Sequence, residues 1–269
     1  MTTQEITADT RAIAVARAIH RMAEPEQTIL FGSRARGDHR PDSDIDVLII
    51  KDPSPPEDWL EDLRNRARTL QKAELPEASG IDVICMTTKE FDVRRRLRNN
   101  LANCIAKQGA PIMPQENAEL PEESLDWDDI DGKIKDATGA ANGLAAIAGA
   151  GILDELDDKQ IGRMAQNALE NAYKAVLAAH GFEYPTSGRD GHNLRILVNR
   201  IRENVMPSPD EPAPGEEYRY LTEFGGAALY SHEHLPLDKA GIARDVPEAV
   251  ARLRDMVEAA KRGQSFLSS

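Results

Sequence analysis

The twenty residues from Phe31 to Ile50, FGSRARGDHRPDSDIDVLII, constrain this chain more than any other stretch. Thr28 to Phe31 is a short apolar run of strand type, and Gly32-Ser33 ends it. Glycine lets the backbone approach a bulky group with no Cβ in the way. Gly37, Asp38, Pro41 and Asp42 are turn formers, so the chain reverses between them. Asp44 to Ile50 then returns as a second strand. Side chains alternate faces along a strand, so Asp44 and Asp46 point one way and Ile45, Val47 and Ile49 the other. Two carboxylates on one face repel unless a cation lies between them.

That combination suits a metal-bound nucleoside triphosphate. The Ser33 hydroxyl and the amides after it can donate to phosphate oxygens, and a helix starting near Ser33 would add its free N–H groups. Ser33 equally suits an ordinary helix N-cap. Arg34 and Arg36 can reach phosphates or lie on the surface. Magnesium takes oxygen ligands and usually substrate phosphates as well. A third carboxylate for a second ion is Asp82, which interrupts the apolar strand Gly80-Ile81-Asp82-Val83-Ile84-Cys85-Met86. A charge inside a strand needs a partner, either a metal or an arginine. Two ions roughly 3.5–4 Å apart would activate an acceptor hydroxyl and neutralise a leaving pyrophosphate. The chemistry is then in-line displacement at the α-phosphorus, driven by positioning and charge stabilisation.

Gly32-Ser33, the ten-residue gap and Asp44-x-Asp46 resemble the signature of polymerase-β-type nucleotidyltransferases, particularly their minimal bacterial members. The resemblance covers roughly the first 115 residues. It implies a mixed-sheet α/β nucleotidyltransferase fold, Mg²⁺, and transfer of a nucleoside monophosphate, with ATP the expected donor. Asp44 and Asp46 match the family's metal ligands directly, and Asp82 matches the third by strand context. The implied nucleotide-binding residues are Gly32, Ser33 and Arg34.

The rest of residues 1–114 is mixed in character. Asp9 to Met22 has helical spacing, and Pro55-Pro56 followed by Glu57 and Asp58 starts a helix that runs to about Leu75. Thr87-Thr88-Lys89-Glu90 opens a helix expected to contain Arg94, Arg95, Arg96 and Arg98. That basic run is a solvated face or a means of steering a triphosphate, and the first is the commoner case. Residues 115–125, QENAELPEESL, look like a linker.

Residues 126–269 are helical in pattern. Helices are expected over Asp126–Ala150, Lys159–Ala179, from Gly191 through Ile201, Tyr218–Tyr230 and Val246–Ala260, making an all-α bundle. Asn167 to Leu177, with Gly181 and Gly191-His192-Asn193-Leu194, resembles the HEPN helical domains that accompany minimal nucleotidyltransferases. Toxic members of that family carry an Arg-x4–6-His ribonuclease motif. No such spacing occurs after residue 115, and Arg34 to His39 falls within the phosphate loop. His192 is a catalytic base or, more simply, a structural hydrogen bond near an N-cap. His232 and His234 would need a loop to share a metal, and Tyr230 beside them is open to self-modification.

Charge bears on the acceptor. Residues 1–115 hold 17 Lys/Arg and 18 Asp/Glu and the remainder 16 and 28, so most of the net −13 lies in the second half. Such a surface disfavours a nucleic-acid backbone and suits a cationic acceptor or a protein. Three function classes follow. The first is transfer of AMP to a hydroxyl on a protein or RNA in a toxin–antitoxin-like setting. The second is an aminoglycoside-type adenylyltransferase acting on a small polycation, with Glu170 the candidate general base that this resemblance implies. The third is a non-catalytic nucleotide-binding or antitoxin module. The absence of a signal pattern or long apolar run leads to the expectation of a cytoplasmic enzyme with no membrane partner. A homo-oligomer is compatible with the sequence. Cys85 and Cys104 have no metal-ligand spacing and are expected to be buried, reduced thiols.

Overall fold

A computed structural model describes residues 8–113, 123–186, 188–208, 210–225 and 237–267. The chain divides into two compact units, Met1–Ser124 and Leu125–Ser269. Of the expected linker, only residues 123–125 lie among those described.

The first unit is an α/β sheet domain. Its elements are α1 (Thr10–Ala23), β1 (Gln27–Phe31), α2 (Gly32–Arg36), β2 (Ile45–Ile50), α3 (Glu57–Glu74), β3 (Ile81–Met86), α4 (Thr88–Arg94), α5 (Leu101–Gln108) and β4 (Ala110–Pro111). The strand order is β3-β2-β1-β4. β1 runs antiparallel to β2 and β4, while β2 and β3, joined through α3, are parallel. The sheet is therefore mixed, as expected.

Both faces of the sheet are covered, which explains the apolar strands. One face carries Leu30, Ile45, Val47, Ile49, Ile81 and Val83 and packs with Val15 and Ile19 of α1 and Leu63 and Ala67 of α3. The other carries Ile29, Leu48, Ile50 and Met86 and packs with Phe91 of α4 and Ala102 and Ile105 of α5. By strand alternation, Asp46 and Asp82 belong to this second face. They interrupt its apolar sequence where the core stops.

Three local expectations need correction. β2 begins at Ile45, so Asp44 is the residue before the strand. The helix opened by the Thr87/Glu90 capping box ends at Arg94, with Arg95 as its C-cap, so the basic run is not one helical face. After it, Asn100 caps the unanticipated α5 by accepting the Ala102 N–H at 3.1 Å. Cys85 and Cys104 are half-buried rather than buried.

Ser124 returns to this unit by bridging to Leu97. Glu123 accepts from Arg98 at 3.0 Å, from Asn103 at 3.0 Å and from Lys107. Burial pushes against its ionisation. Those three donors outweigh it and hold the Glu123 carboxyl at about 2.

The second unit is helical: α6 (Trp127–Gly149), α7 (Asp158–Ala179), α8 (Gly188–Gly191), α9 (Leu194–Asn204) and α10 (Lys239–Leu267). α7 is the central element, with Ile161, Ala165, Ala168, Ala172, Tyr173 and Val176 among its buried residues. α6 runs through the glycines expected to weaken it, because Ile130, Ile134, Ala137, Ala141 and Leu144 form a continuous buried stripe. Packing outweighs the helix propensity lost at each glycine, about 1 kcal/mol. α10 starts before the expected Val246 and passes through Pro247. A proline inside a helix loses one hydrogen bond. Here Ile242, Val246, Val250, Leu253 and Val257 all bury in the core and hold the helix together. The helix expected from Tyr218 is instead a 3-10 segment, Glu216–Phe224. The remainder of that expected helix, with Tyr230, His232 and His234, lies outside the described residues.

Candidate active site

The parallel register sets Asp46 directly beside Asp82, and the antiparallel register sets Phe31 on its other side. Gly32 follows Phe31 with φ +72°. A Cβ built on Gly32 would stand 2.1 Å from Asp46 Oδ2. No other residue fits there. The glycine thus makes room first for a carboxylate of its own chain, an addition to the role expected at a phosphate.

Asp46 is partly buried. Its carboxyl is raised from the usual range to about 6, first by burial and then by the charges of Asp82 and Asp44. Arg36 and Arg34 pull it back in part. Asp44 is exposed and accepts the Ser79 hydroxyl at 2.7 Å. It also lies against Gly80, where an added Cβ would stand 3.2 Å from its Oδ1. The three acids therefore neighbour one another without converging. Among the described residues, no three His, Cys, Asp or Glu side chains stand close enough to hold a metal ion.

Gly32 and Ser33 open α2, as the Gly-Ser turn implies. Arg34 is placed differently from the expected phosphate ligand. It is 2% exposed. Its guanidinium donates to the carbonyls of Ser43 at 2.8 and 3.0 Å and Pro41 at 2.9 Å, and to the Asp9 carboxylate. The Asp9 N–H in turn donates to the Arg34 carbonyl at 2.9 Å. Arg34 is an inner brace of the loop. Arg36 is exposed and paired with Asp38 at 3.2 Å.

One group of side chains was missed. Two depressions of about 330 and 270 Å³ flank Asp82 at the edge strand, the first lined by Arg64 and Arg68, the second by Asp44, Arg68 and Lys72. Arg64 also donates to the Val83 carbonyl at 3.2 Å. The signal was present, because positions 64, 68 and 72 share one face of α3. Cations there balance the acids and suit a polyphosphate.

In the helical unit, Glu170 and His192 come together: His192 Nδ1 is 3.1 Å from the Glu170 carboxylate. His192 is thus in a structural hydrogen bond, and the pair lines a cavity.

Residues 14–107 match the family model described as a nucleotidyltransferase domain. That span runs from inside α1 into α5 and contains Gly32, Ser33, Asp44, Asp46 and Asp82. No curated protein and no solved structure matches the chain. The match supports a polymerase-β-superfamily nucleotidyltransferase, nucleotidyl transfer in general, and a nucleoside triphosphate as substrate. No helix among the described residues is long and apolar enough to cross a membrane.

Proposed function

We propose that the chain is a Mg²⁺-dependent adenylyltransferase that moves AMP from ATP to a hydroxyl on a protein or RNA. The observation that carries this reading is the register of Asp46 against Asp82, with Asp44 adjacent and Gly32-Ser33 alongside. The donor chemistry suits a cation although the three side chains do not converge in this structure: burial and two like charges make Asp46 ionise reluctantly, and a divalent ion would relieve that repulsion. Asp44, Asp46 and Asp82 would hold one or two ions. Bound there, Mg²⁺ supplies charge neutralisation for the pyrophosphate and acidifies the attacking hydroxyl.

The chain's own residues do the rest. The Ser33 hydroxyl and nearby amides donate to phosphate oxygens, and Arg68 and Lys72 balance the charge around Asp82. Arg34 holds the shape of the loop between Ser33 and Asp44. The toxin–antitoxin setting rests on the HEPN resemblance of the helical unit, whose pattern residues lie in α7 and at the start of α9. The acidic balance of that half favours a second reading, a small polycationic acceptor of the aminoglycoside type.

The test is transfer of ³²P from α-labelled ATP to cell lysate, purified tRNA and an aminoglycoside panel. Label is expected in protein or tRNA, and label only in the small-molecule fraction replaces this reading with the second. Asp44→Ala with Asp46→Ala is expected to abolish transfer while the circular dichroism spectrum survives. Unchanged transfer in that double variant would refute Asp44 and Asp46 as the seat of the reaction. Tight ATP binding by the unaltered chain without turnover on any acceptor would favour a non-catalytic module.

A further inference from the structure

The helical unit contains a cavity of about 740 Å³. It lies in the size range of small-molecule sites. Its apolar wall is Ile147, Leu156, Met164 and Phe224. Glycines shape it: a Cβ on Gly162 would stand 2.5 Å from the Phe224 ring, and one on Gly225 2.7 Å from Gln166 Nε2. The Phe224 segment can therefore seat against α7 only because both positions are bare.

The polar part is built from buried groups. Glu170, 7% exposed, accepts from Lys174 Nζ at 2.6 Å and from Gln166 Nε2 at 2.5 Å. Its third partner is His192 Nδ1. A carboxylate can only accept, so Nδ1 carries a proton, and in the neutral imidazole Nε2 is left as an acceptor. Lys174 balances the charge of Glu170, the one acidic side chain lining the cavity among the described residues. Arg163 lines the same cavity, is exposed, and has no ion-pair or hydrogen-bond partner among the described residues. The uncompensated charge at this site is therefore positive.

We infer that this cavity is a binding site for a small organic anion with an apolar body and an O–H or N–H group. The body lies against Met164 and Phe224, the acid group meets Arg163, and the O–H or N–H donates to His192 Nε2. Glu170 is a positioning residue that fixes the imidazole.

The probe is 8-anilinonaphthalene-1-sulfonate, which carries an aromatic body, a sulfonate and an N–H. N-phenyl-1-naphthylamine, the same body without the sulfonate, is its control. The full chain is titrated with each and read by fluorescence. One saturable site is expected for the sulfonate, with affinity clearly above that of the neutral control. Arg163→Gln, at an exposed position, should weaken the sulfonate about tenfold and leave the control within about twofold. Met164→Trp should fill the cavity and remove both, with helical circular dichroism retained. Absence of saturable binding, equal affinity for the two probes, or an unchanged sulfonate affinity in Arg163→Gln would each overturn the inference. None of these readouts depends on nucleotidyl transfer, so its failure and that of the proposed activity are separable.

Discussion

Asp46→Asn should make the ion-free protein more stable while destroying its response to magnesium. The Asp46 carboxyl is raised from 3.8 to about 6 in the folded chain, by burial and by Asp82 and Asp44. A raised acid favours its protonated form in the folded state, so this group costs nothing below pH 4 and its penalty grows as pH rises towards 6. Two pKa units at 1.36 kcal/mol each bound the penalty near 3 kcal/mol, and solvent screening of a partly buried group brings it to about 2 kcal/mol. Asparagine removes the charge at nearly constant shape. The variant should therefore gain about 2 kcal/mol at pH 8 and almost nothing at pH 4. Magnesium should stabilise the unaltered protein at pH 8, less at pH 5, and the variant little at either. Urea unfolding followed by Trp59 fluorescence reads this, in a Trp127→Phe background that confines the signal to the first unit. A variant that is less stable at pH 8, or equally improved at both pH values, would refute the reasoning.

Further outcomes follow from the same geometry. Gly32→Ala should reduce transfer at least a hundredfold in kcat, since its Cβ would collide with Asp46 and φ +72° strains any side chain; activity within tenfold would contradict this. Glu123→Gln should cost about 1 kcal/mol at pH 7. That loss should fade as pH falls from 4.5 towards 2, because the depressed carboxyl contributes only while ionised. Tyr173→Phe should cost about 1 kcal/mol in calorimetry of the helical unit, because the buried Pro214 carbonyl loses its 2.9 Å donor. Lys174→Met should cost about 3 kcal/mol by leaving Glu170 buried with one cation fewer, and adding Glu170→Leu should recover part of it.

The legible parts of the chain were local. Gly32-Ser33, the turn residues and the alternation from Ile45 through Asp46 act within a single hairpin, so neighbouring residues suffice to place them. Asp82 was visible as an acid in an apolar strand. Its partner required the parallel register, which the β2–α3–β3 crossover sets and a single strand does not encode. Arg34 was misplaced because arginine is ordinarily exposed. The demand for a donor came from carbonyls at Pro41 and Ser43, which the turn-rich loop points at the guanidinium. The 3-10 segment did leave a trace: Tyr218, Leu221 and Phe224 are all buried at a strict spacing of three, the period of that helix. The Glu170–His192 pair spans 22 positions and two helices, and no spacing rule connects them.

The Arg34 brace has a consequence for the length of the loop. One side chain, at the loop's first residue, grips the carbonyls of its eighth and tenth, so the distance from Ser33 to Asp44 is measured by a guanidinium. Asp38 and Arg40 lie outside that grip and are exposed. Their identities are free to drift, and the number of residues is not. The ten-residue interval that first drew notice is a ruler, and its gauge is a side chain that never meets the solvent.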